Sequence, residues 1–224
     1  MVHKIRAAHL CLITAMSIAG CGGGGGDSNP APQQLLSARA PSEPMAVAST
    51  TLTATDSSGN SWSATYSSTP GGMAMFNGQN ANTSAIALTI SENGTVVATE
   101  DSTAYYLANP YSPLGLSGTT SGTAWTATIT GYTPLPSTLT VGASGPLESV
   151  TYTDGMGANI GSLTETYTVT ADSPNDLFLN VDAAGSINGV QETETLTYSV
   201  ASDGTVQALV RAQITVNGTT LTFT

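Results

Sequence analysis

Residues 212–223 read AQITVNGTTLTF, and they predict the fold of this chain most directly. Apolar and polar residues alternate on both sides of an Asn-Gly pair, which is the period of a half-buried β-strand. Asn-Gly favours a two-residue type I′ turn, and such a turn would pair Ile214 with Leu221. Apolar residues then face apolar residues across the hairpin, so the segment predicts two antiparallel strands with one buried face.

The preceding hairpins follow the same pattern. A three-residue loop with Gly204 at positive φ would pair Tyr198 with Ala208, because a shorter loop would set apolar residues against polar ones. Further back, the same alternation pairs Tyr167 with Val181. Residues 162–224 are therefore predicted to form a five-stranded antiparallel meander.

Alternation extends from residue 49 to residue 224, and no segment of that range has a sustained helical period. We expect about ten to twelve strands joined by short turns, without crossover helices. This organisation predicts an all-β domain, an antiparallel up-and-down meander that closes as a barrel. A two-sheet β-sandwich is the alternative.

Residues 1–20 have the pattern of a cleaved signal peptide. Lys4 and Arg6 give a basic start, and a mostly apolar run follows from residue 7 to residue 19. That run is too short for a transmembrane helix, which needs about 20 apolar residues. We therefore exclude residues 1–20 from the predicted fold.

The signal peptide ends in Ile18-Ala19-Gly20-Cys21. Small residues directly before a cysteine resemble the lipobox of bacterial lipoproteins, and this resemblance covers only residues 1–21. It implies cleavage before Cys21, a thioether-linked diacylglyceryl group on Cys21, and acylation of the new amino terminus, commonly by palmitate. Gly22 stands where an aspartate would retain such a protein in the inner membrane. The resemblance thus implies the outer membrane of a Gram-negative bacterium, with the periplasmic and surface faces both open.

Residues 21–48 are predicted to be a lipidated, flexible tether. Five consecutive glycines occupy positions 22–26, and four prolines follow before residue 49. Glycine loses much backbone entropy on ordering and proline interrupts regular structure. A flexible coil of this length spans about 27–30 Å on average, which would hold the domain away from the lipid surface.

The charge of the mature chain limits its partners. Removing residues 1–20 takes away both histidines, Lys4 and Arg6, but none of the 15 carboxylates, so the net charge falls from −11 to −13. Arg39 and Arg211 are then the remaining cationic side chains. Nucleic acid is not expected as a partner, because phosphate binding needs a basic surface. The expected membrane contact is the lipid anchor.

The absence of certain residue types from the mature chain excludes most kinds of catalytic site. Without His, Lys or an internal Cys, it has no Ser-His-Asp, Cys-His or Ser-Lys system and no histidine-bound zinc. The sequence therefore predicts a protein that is not an enzyme.

A glycosidase carboxylate pair remains as an alternative. Glu100 and Asp101 are neighbours on a strand and should face opposite ways. Glu192 and Glu194 share a face, and we expect them at the rim, where the core ends.

No cofactor is predicted beyond the covalent lipid. Calcium, which takes oxygen ligands, is a weaker alternative at two loops rich in Asp and Asn. One loop holds Asp172, Asn175 and Asp176, and the other spans residues 154–159. These residue types are also typical of ordinary turns, which is the favoured interpretation.

Three tyrosines are the predicted ligand or partner surface. Tyr105, Tyr106 and Tyr111 lie close to Pro110 and Pro113, in what the sequence indicates is a long loop. Aromatic residues within the strands are instead assigned to the core.

The leading functional hypothesis is a membrane-anchored lipoprotein whose non-enzymatic β domain binds a partner or contributes to envelope structure. A lipocalin-like carrier of a small apolar ligand and a carboxylate-dependent glycosidase are the alternatives.

Overall fold

The structure is a computed structural model, and all regular secondary structure in its described residues is β-strand. The predicted signal peptide, Cys21 and most of the predicted tether lie outside the described residues. The described residues are 37–39, 49–108, 110–173, 176–201, 206–216 and 218–224.

Twelve strands form one large antiparallel sheet, and two short strands form a second sheet. The short strands are β1 (Ser37–Arg39) and β8 (Thr138–Thr140). The large sheet consists of β2 (Thr50–Thr55), β3 (Ser61–Phe76), β4 (Gln79–Glu92), β5 (Thr95–Ala108), β6 (Tyr111–Thr120), β7 (Thr123–Tyr132), β9 (Ser144–Asp154), β10 (Asn159–Ser173), β11 (Asp176–Ile187), β12 (Val190–Val200), β13 (Val206–Val216) and β14 (Thr219–Phe223).

The strands of the large sheet follow chain order, and β7 pairs with β9 across the short β8. The two edges of the sheet meet at Thr53 and Thr224, whose backbone groups exchange hydrogen bonds of 3.0 and 2.9 Å. The sheet is thereby a nearly closed barrel. The predicted all-β, up-and-down meander is confirmed, and the barrel forms rather than the sandwich alternative.

Alternation of residue type puts one face of each strand inside the barrel. In β12, Leu196, Tyr198 and Val200 point inward and are at most 4% exposed, whereas Thr193 is exposed. Each fully buried leucine contributes about 1.5–3 kcal/mol relative to an exposed one. Burial of this inward set holds the sheet in its curved form.

Two of the predicted hairpin registers are confirmed. Ile214 pairs with Leu221 between β13 and β14, and Tyr167 pairs with Val181 between β10 and β11. Each pairing sets buried side chains opposite each other, which is why the apolar pattern was sufficient to predict the register.

The predicted pairing of Tyr198 with Ala208 is wrong, because Tyr198 pairs with Leu209. The ladder between β12 and β13 has two irregularities, one on each side of Tyr198 and Ser199. A bulge inserts an extra residue on one strand and shifts the register beyond it. Here the shift places the larger Leu209, which is 3% exposed, opposite Tyr198 and leaves Arg211 exposed.

The predicted tether includes one strand. β1 pairs antiparallel with β8, with Ala38 opposite Leu139. Leu139 is fully buried in the barrel core. Ser37–Arg39 lie within the predicted tether, and they pair with the edge that the connection between β7 and β9 offers.

The long loop predicted around Tyr105, Tyr106 and Tyr111 is also wrong, because all three lie in the paired strands β5 and β6. The prolines suggested a loop, since proline lacks the N–H that a ladder needs. Pro113 instead pairs with Tyr106 next to a register shift. Irregularities of this kind are among the places where a sheet tolerates proline.

Candidate functional site

Three glutamates form a carboxyl row across one wall of the barrel interior. Glu148 of β9 pairs with Glu165 of β10, which pairs with Ala183 of β11, which in turn pairs with Glu194 of β12. The three glutamates of this carboxyl row are 5%, 1% and 4% exposed, in chain order. Directly paired residues share a face of the sheet, so the side chains project into the same layer of the interior.

Glu192 lies two residues before Glu194 on the same face and is 5% exposed. The expected rim position for this pair is wrong, since both side chains are buried. The reason is the length of β13, where Val216 pairs with Glu192 and Ile214 with Glu194. The core continues past both glutamates, and no rim begins there.

Two carboxyls of the row lack the hydrogen bonds that buried polar groups normally have. Within the described residues, neither oxygen of Glu148 nor of Glu194 has a hydrogen-bond partner. The hydroxyl of Tyr198, also buried, has none either. An unsatisfied buried polar group costs about 1–3 kcal/mol. The interior therefore holds groups whose hydrogen-bonding capacity the described side chains leave unused.

Burial favours the neutral form of these carboxyls. Burial is the largest cause that raises the pKa of Glu194 well above its ordinary value, and neighbouring carboxyls raise it further. The pKa of Glu148 is raised in the same way, first by burial and then by Glu165. Several negative charges cannot share a low-dielectric interior, so protonation is the cheaper state.

The opposite wall holds Glu100, whose carboxyl has a hydrogen-bond partner on one oxygen, whereas its Oε1 has none among the described residues. Thr120 donates a hydrogen bond of 3.2 Å to Glu100, and the indole N–H of Trp125 donates one of 2.9 Å to the hydroxyl of Thr120. Burial raises the pKa of Glu100 well above its usual range, while the Thr120 hydrogen bond opposes this rise. Glu100 is buried and Asp101 is exposed, so the prediction that they face opposite ways is confirmed.

Three half-buried tyrosines at one end of the barrel form a tyrosine cluster: Tyr106, Tyr111 and Tyr132. The ring centroids of Tyr106 and Tyr111 are 5.9 Å apart, with planes inclined at 42°. The rings of Tyr111 and Tyr132 are 6.1 Å apart and nearly perpendicular, at 82°. Tyr132 pairs directly with Glu148, so the tyrosine cluster continues into the carboxyl row.

Glu148 affects the pKa of Tyr132. Burial raises its pKa to about 12, and the carboxyl of Glu148 contributes to the rise. The phenol therefore stays protonated and can donate a hydrogen bond over the physiological range.

Tyr105 does not belong to the cluster. Its ring stacks on Phe76 at a centroid distance of 4.5 Å, and its hydroxyl lies 3.0 Å from the hydroxyl of Ser117. Successive residues of a strand face opposite sides, so Tyr105 lies on the outer wall. The predicted trio thus divides, with Tyr106 and Tyr111 joining Tyr132 at the barrel end.

Sequence reasoning missed the row itself. Glu148 and Glu165 each stand two positions from a buried apolar residue, Val150 and Leu163, on the inward face. Extending the alternation of inward and outward residues to Glu148 and Glu165 would have placed both carboxyls inside the barrel. The signal was present, but an interior glutamate contradicts the usual exposure of that residue type.

In the loop of residues 154–159, one of the two calcium alternatives, the carboxylate of Asp154 is already used by hydrogen bonds within the loop. The carboxylate of Asp154 accepts hydrogen bonds of 2.9 Å from the backbone N–H groups of Met156 and Ala158. Asn175 and the side chains of Asp172 and Asp176 lie outside the described residues. In the part of the chain that the structure describes, no group of three or more His, Cys, Asp or Glu residues is arranged to hold a metal ion.

Comparison with known proteins gives no relative. No family model, curated protein or solved structure matches this chain. Among the residues that the structure describes, there is also no helix long and apolar enough to cross a membrane.

Proposed function

We propose that this protein is a lipid-anchored, non-enzymatic binding protein of the bacterial outer membrane, and that it holds a small ligand at the tyrosine cluster. The observation that carries the proposal is the continuity of Tyr132 with Glu148. Partly exposed aromatic rings at the barrel end lead directly to buried polar groups that lack partners. Binding sites commonly combine an apolar surface with a few polar groups in this way.

Binding at the barrel end fits better than binding deep in the lumen. Large inward side chains, such as Trp62, Leu179 and Leu196, are at most 2% exposed. An apolar ligand in the lumen would have to displace such packed side chains, whose contacts stabilise the fold. The carrier alternative therefore has less support than a site at the tyrosine cluster.

The glycosidase alternative also has less support. A glycosidase needs one ionised carboxylate beside a protonated one, with both reaching the sugar. Glu192 and Glu194 are buried, and burial raises the pKa of Glu194 well above its ordinary value.

The anchor part of the proposal rests on Ile18-Ala19-Gly20-Cys21. Mass spectrometry of the protein purified from membranes should give an amino-terminal peptide that begins at Cys21 and carries acyl chains. A peptide with an unmodified Cys21 would contradict the anchor.

Native mass spectrometry tests the binding part. The protein purified from cells should retain a small molecule, and Tyr132→Ala should lose it. Tyr105→Ala is the matched control, since it removes a tyrosine from the outer wall and should keep the ligand. Equal retention in both variants, or no retained molecule in the wild type, would contradict a site at the tyrosine cluster.

A further inference from the structure

We propose that the ligand of the tyrosine cluster is an organic cation, a substituted ammonium group whose charge is balanced by Glu148. This inference rests on the proposed function, because it names the chemical class that the same site would take. Three features support it: the ring geometry, the unused carboxyl and the scarcity of protein cations.

The rings form walls of the kind that ammonium groups prefer. An aromatic face carries negative electrostatic potential and attracts a cation within about 6 Å of the ring centroid. Tyr111 and Tyr132 stand at 82° to each other, so their planes define a corner, and Tyr106 extends it on the side of Tyr111. All three tyrosines are only partly buried, so each keeps some contact with solvent.

Glu148 supplies the counter-charge. Its side chain is 5% exposed, and neither of its oxygens has a hydrogen-bond partner among the described residues. It is directly paired with Tyr132, which places the two Cβ atoms about 4.5–5.5 Å apart. A carboxyl left unsatisfied beside an aromatic corner is suited to a ligand that brings its own positive charge.

The chain itself has few cations to fill this role. The mature sequence keeps only Arg39 and Arg211, against the buried carboxyls of the interior. Arg211 is exposed on the outer wall and donates a 3.1 Å hydrogen bond to Gln213. Protonated carboxyls offer an anion no positive charge with which to pair, and calcium prefers six to eight oxygens rather than aromatic faces. A bulky organic cation matches both the rings and the single adjacent carboxyl.

Binding should release a proton. Burial and Glu165 raise the pKa of Glu148 in the free protein, which favours the protonated carboxyl before the cation arrives. A positive charge nearby favours the ionised form. The titratable groups that face Glu148 are Glu165 and Tyr132. Uptake of the cation is thus coupled to loss of about one proton from Glu148.

Choline and its neutral carbon isostere, 3,3-dimethylbutan-1-ol, test the charge requirement. We would titrate both into the full mature chain with Cys21→Ser, using calorimetry in buffers of different ionisation enthalpy. Choline should bind at least about ten-fold more tightly than the isostere, with release of about one proton. Glu148→Gln should remove the proton release and weaken choline by a similar factor.

The controls separate the site from the fold. Tyr132→Leu should weaken choline, whereas Tyr105→Leu and Glu192→Gln should bind it as the wild type does. Circular dichroism of each variant checks that the barrel is intact, and a folded Glu148→Gln protein with unchanged choline affinity would overturn the inference.

Two further outcomes decide the ligand class. Equal binding of choline and the isostere would overturn the organic cation and leave a neutral ligand at the same cluster, so the proposed function would stand. No heat with choline, tetramethylammonium or spermidine at millimolar concentrations would also overturn the inference. The proposed function fails separately, if the molecule retained from cells survives Tyr132→Ala.

Discussion

The two walls of the barrel treat a buried glutamate differently. On one wall, one oxygen of Glu100 accepts a hydrogen bond from Thr120, which in turn accepts one from Trp125, and only the other oxygen, Oε1, lacks a partner among the described residues. On the other wall, Glu148 and Glu194 have no hydrogen-bond partner within the described residues. Both walls are built from the same alternating strands, so the fold alone does not explain the difference. Partnered carboxyls serve the structure, whereas unpartnered ones carry a cost that a function can justify.

The largest expected effect is the dependence of the free energy of unfolding on pH. The folded pKa values of Glu100, Glu148 and Glu194 are raised, so the folded state holds more protons than the unfolded state. Their contribution is complete below the unfolded pKa of about 4.3 and is lost as the pH rises towards the folded values. Urea unfolding should show the free energy of unfolding falling by about 1.4 kcal/mol per pH unit for each such glutamate.

A double variant sharpens the pH experiment. Replacing Glu148 and Glu194 by glutamine should flatten the fall in the free energy of unfolding, because the amides do not ionise. A stability that rises between about pH 5 and pH 8 in the wild type would contradict the neutral interior.

Leucine substitutions compare the walls directly. Glu194→Leu should raise the free energy of unfolding by about 1–3 kcal/mol, since it removes an unsatisfied polar group. Glu100→Leu should gain less or lose stability, because it deprives Thr120 of its acceptor. Chemical denaturation at one neutral pH measures both. Equal gains in the two variants would show that the hydrogen bond on the first wall has no energetic weight.

The hydrogen bond of Glu100 can also be removed by changing its donor, Thr120. Thr120→Val keeps the shape of the side chain but removes the group that joins Glu100 to Trp125. We expect a loss of about 1–2 kcal/mol from the orphaned partners. Thr119→Val, on the exposed face of the same strand, is the control and should change the midpoint of thermal unfolding little.

The smallest expected effect concerns Tyr132. Its pKa is about 12, with burial as the main cause and Glu148 as the second. Glu148→Gln should lower this pKa by the smaller, electrostatic part of the rise and leave the part due to burial. Ring resonances in a pH titration by NMR would report it. A Tyr132 pKa that is the same in both proteins would show that the two groups do not interact.

The fold could be predicted from sequence because one rule, alternation, acts along nearly the whole domain. Residues 212–223 fixed a register that the structure confirms at Ile214 and Leu221. The rule failed at Tyr198, where bulges of the ladder let Leu209 fill the core. Bulges depend on packing across strands, which local sequence does not report.

The site was harder to predict than the fold. The sequence predicts a ligand surface at Tyr106 and Tyr111 from a supposed loop, and that loop is in fact a pair of strands, so the ligand surface stays a prediction. Their grouping with Tyr132 depends on strands that meet only after folding. The burial of Glu148 and Glu165 was not predicted, because glutamate is usually exposed.

The protonation states of Glu148 and Glu194 can be measured directly by carbon NMR on residues 21–224 with Cys21→Ser and labelled side-chain carboxyls. Asp56 provides an internal reference, because hydrogen bonds from Asn60, Trp62 and Ser58 lower its pKa to about 2. At about pH 7 we expect the spectrum to show Asp56 ionised and both Glu148 and Glu194 protonated. The signals of the two glutamates are assigned through their glutamine variants. Ionised Glu148 and Glu194 at that pH, each titrating near the ordinary glutamate value of about 4.3, would contradict their protonated state.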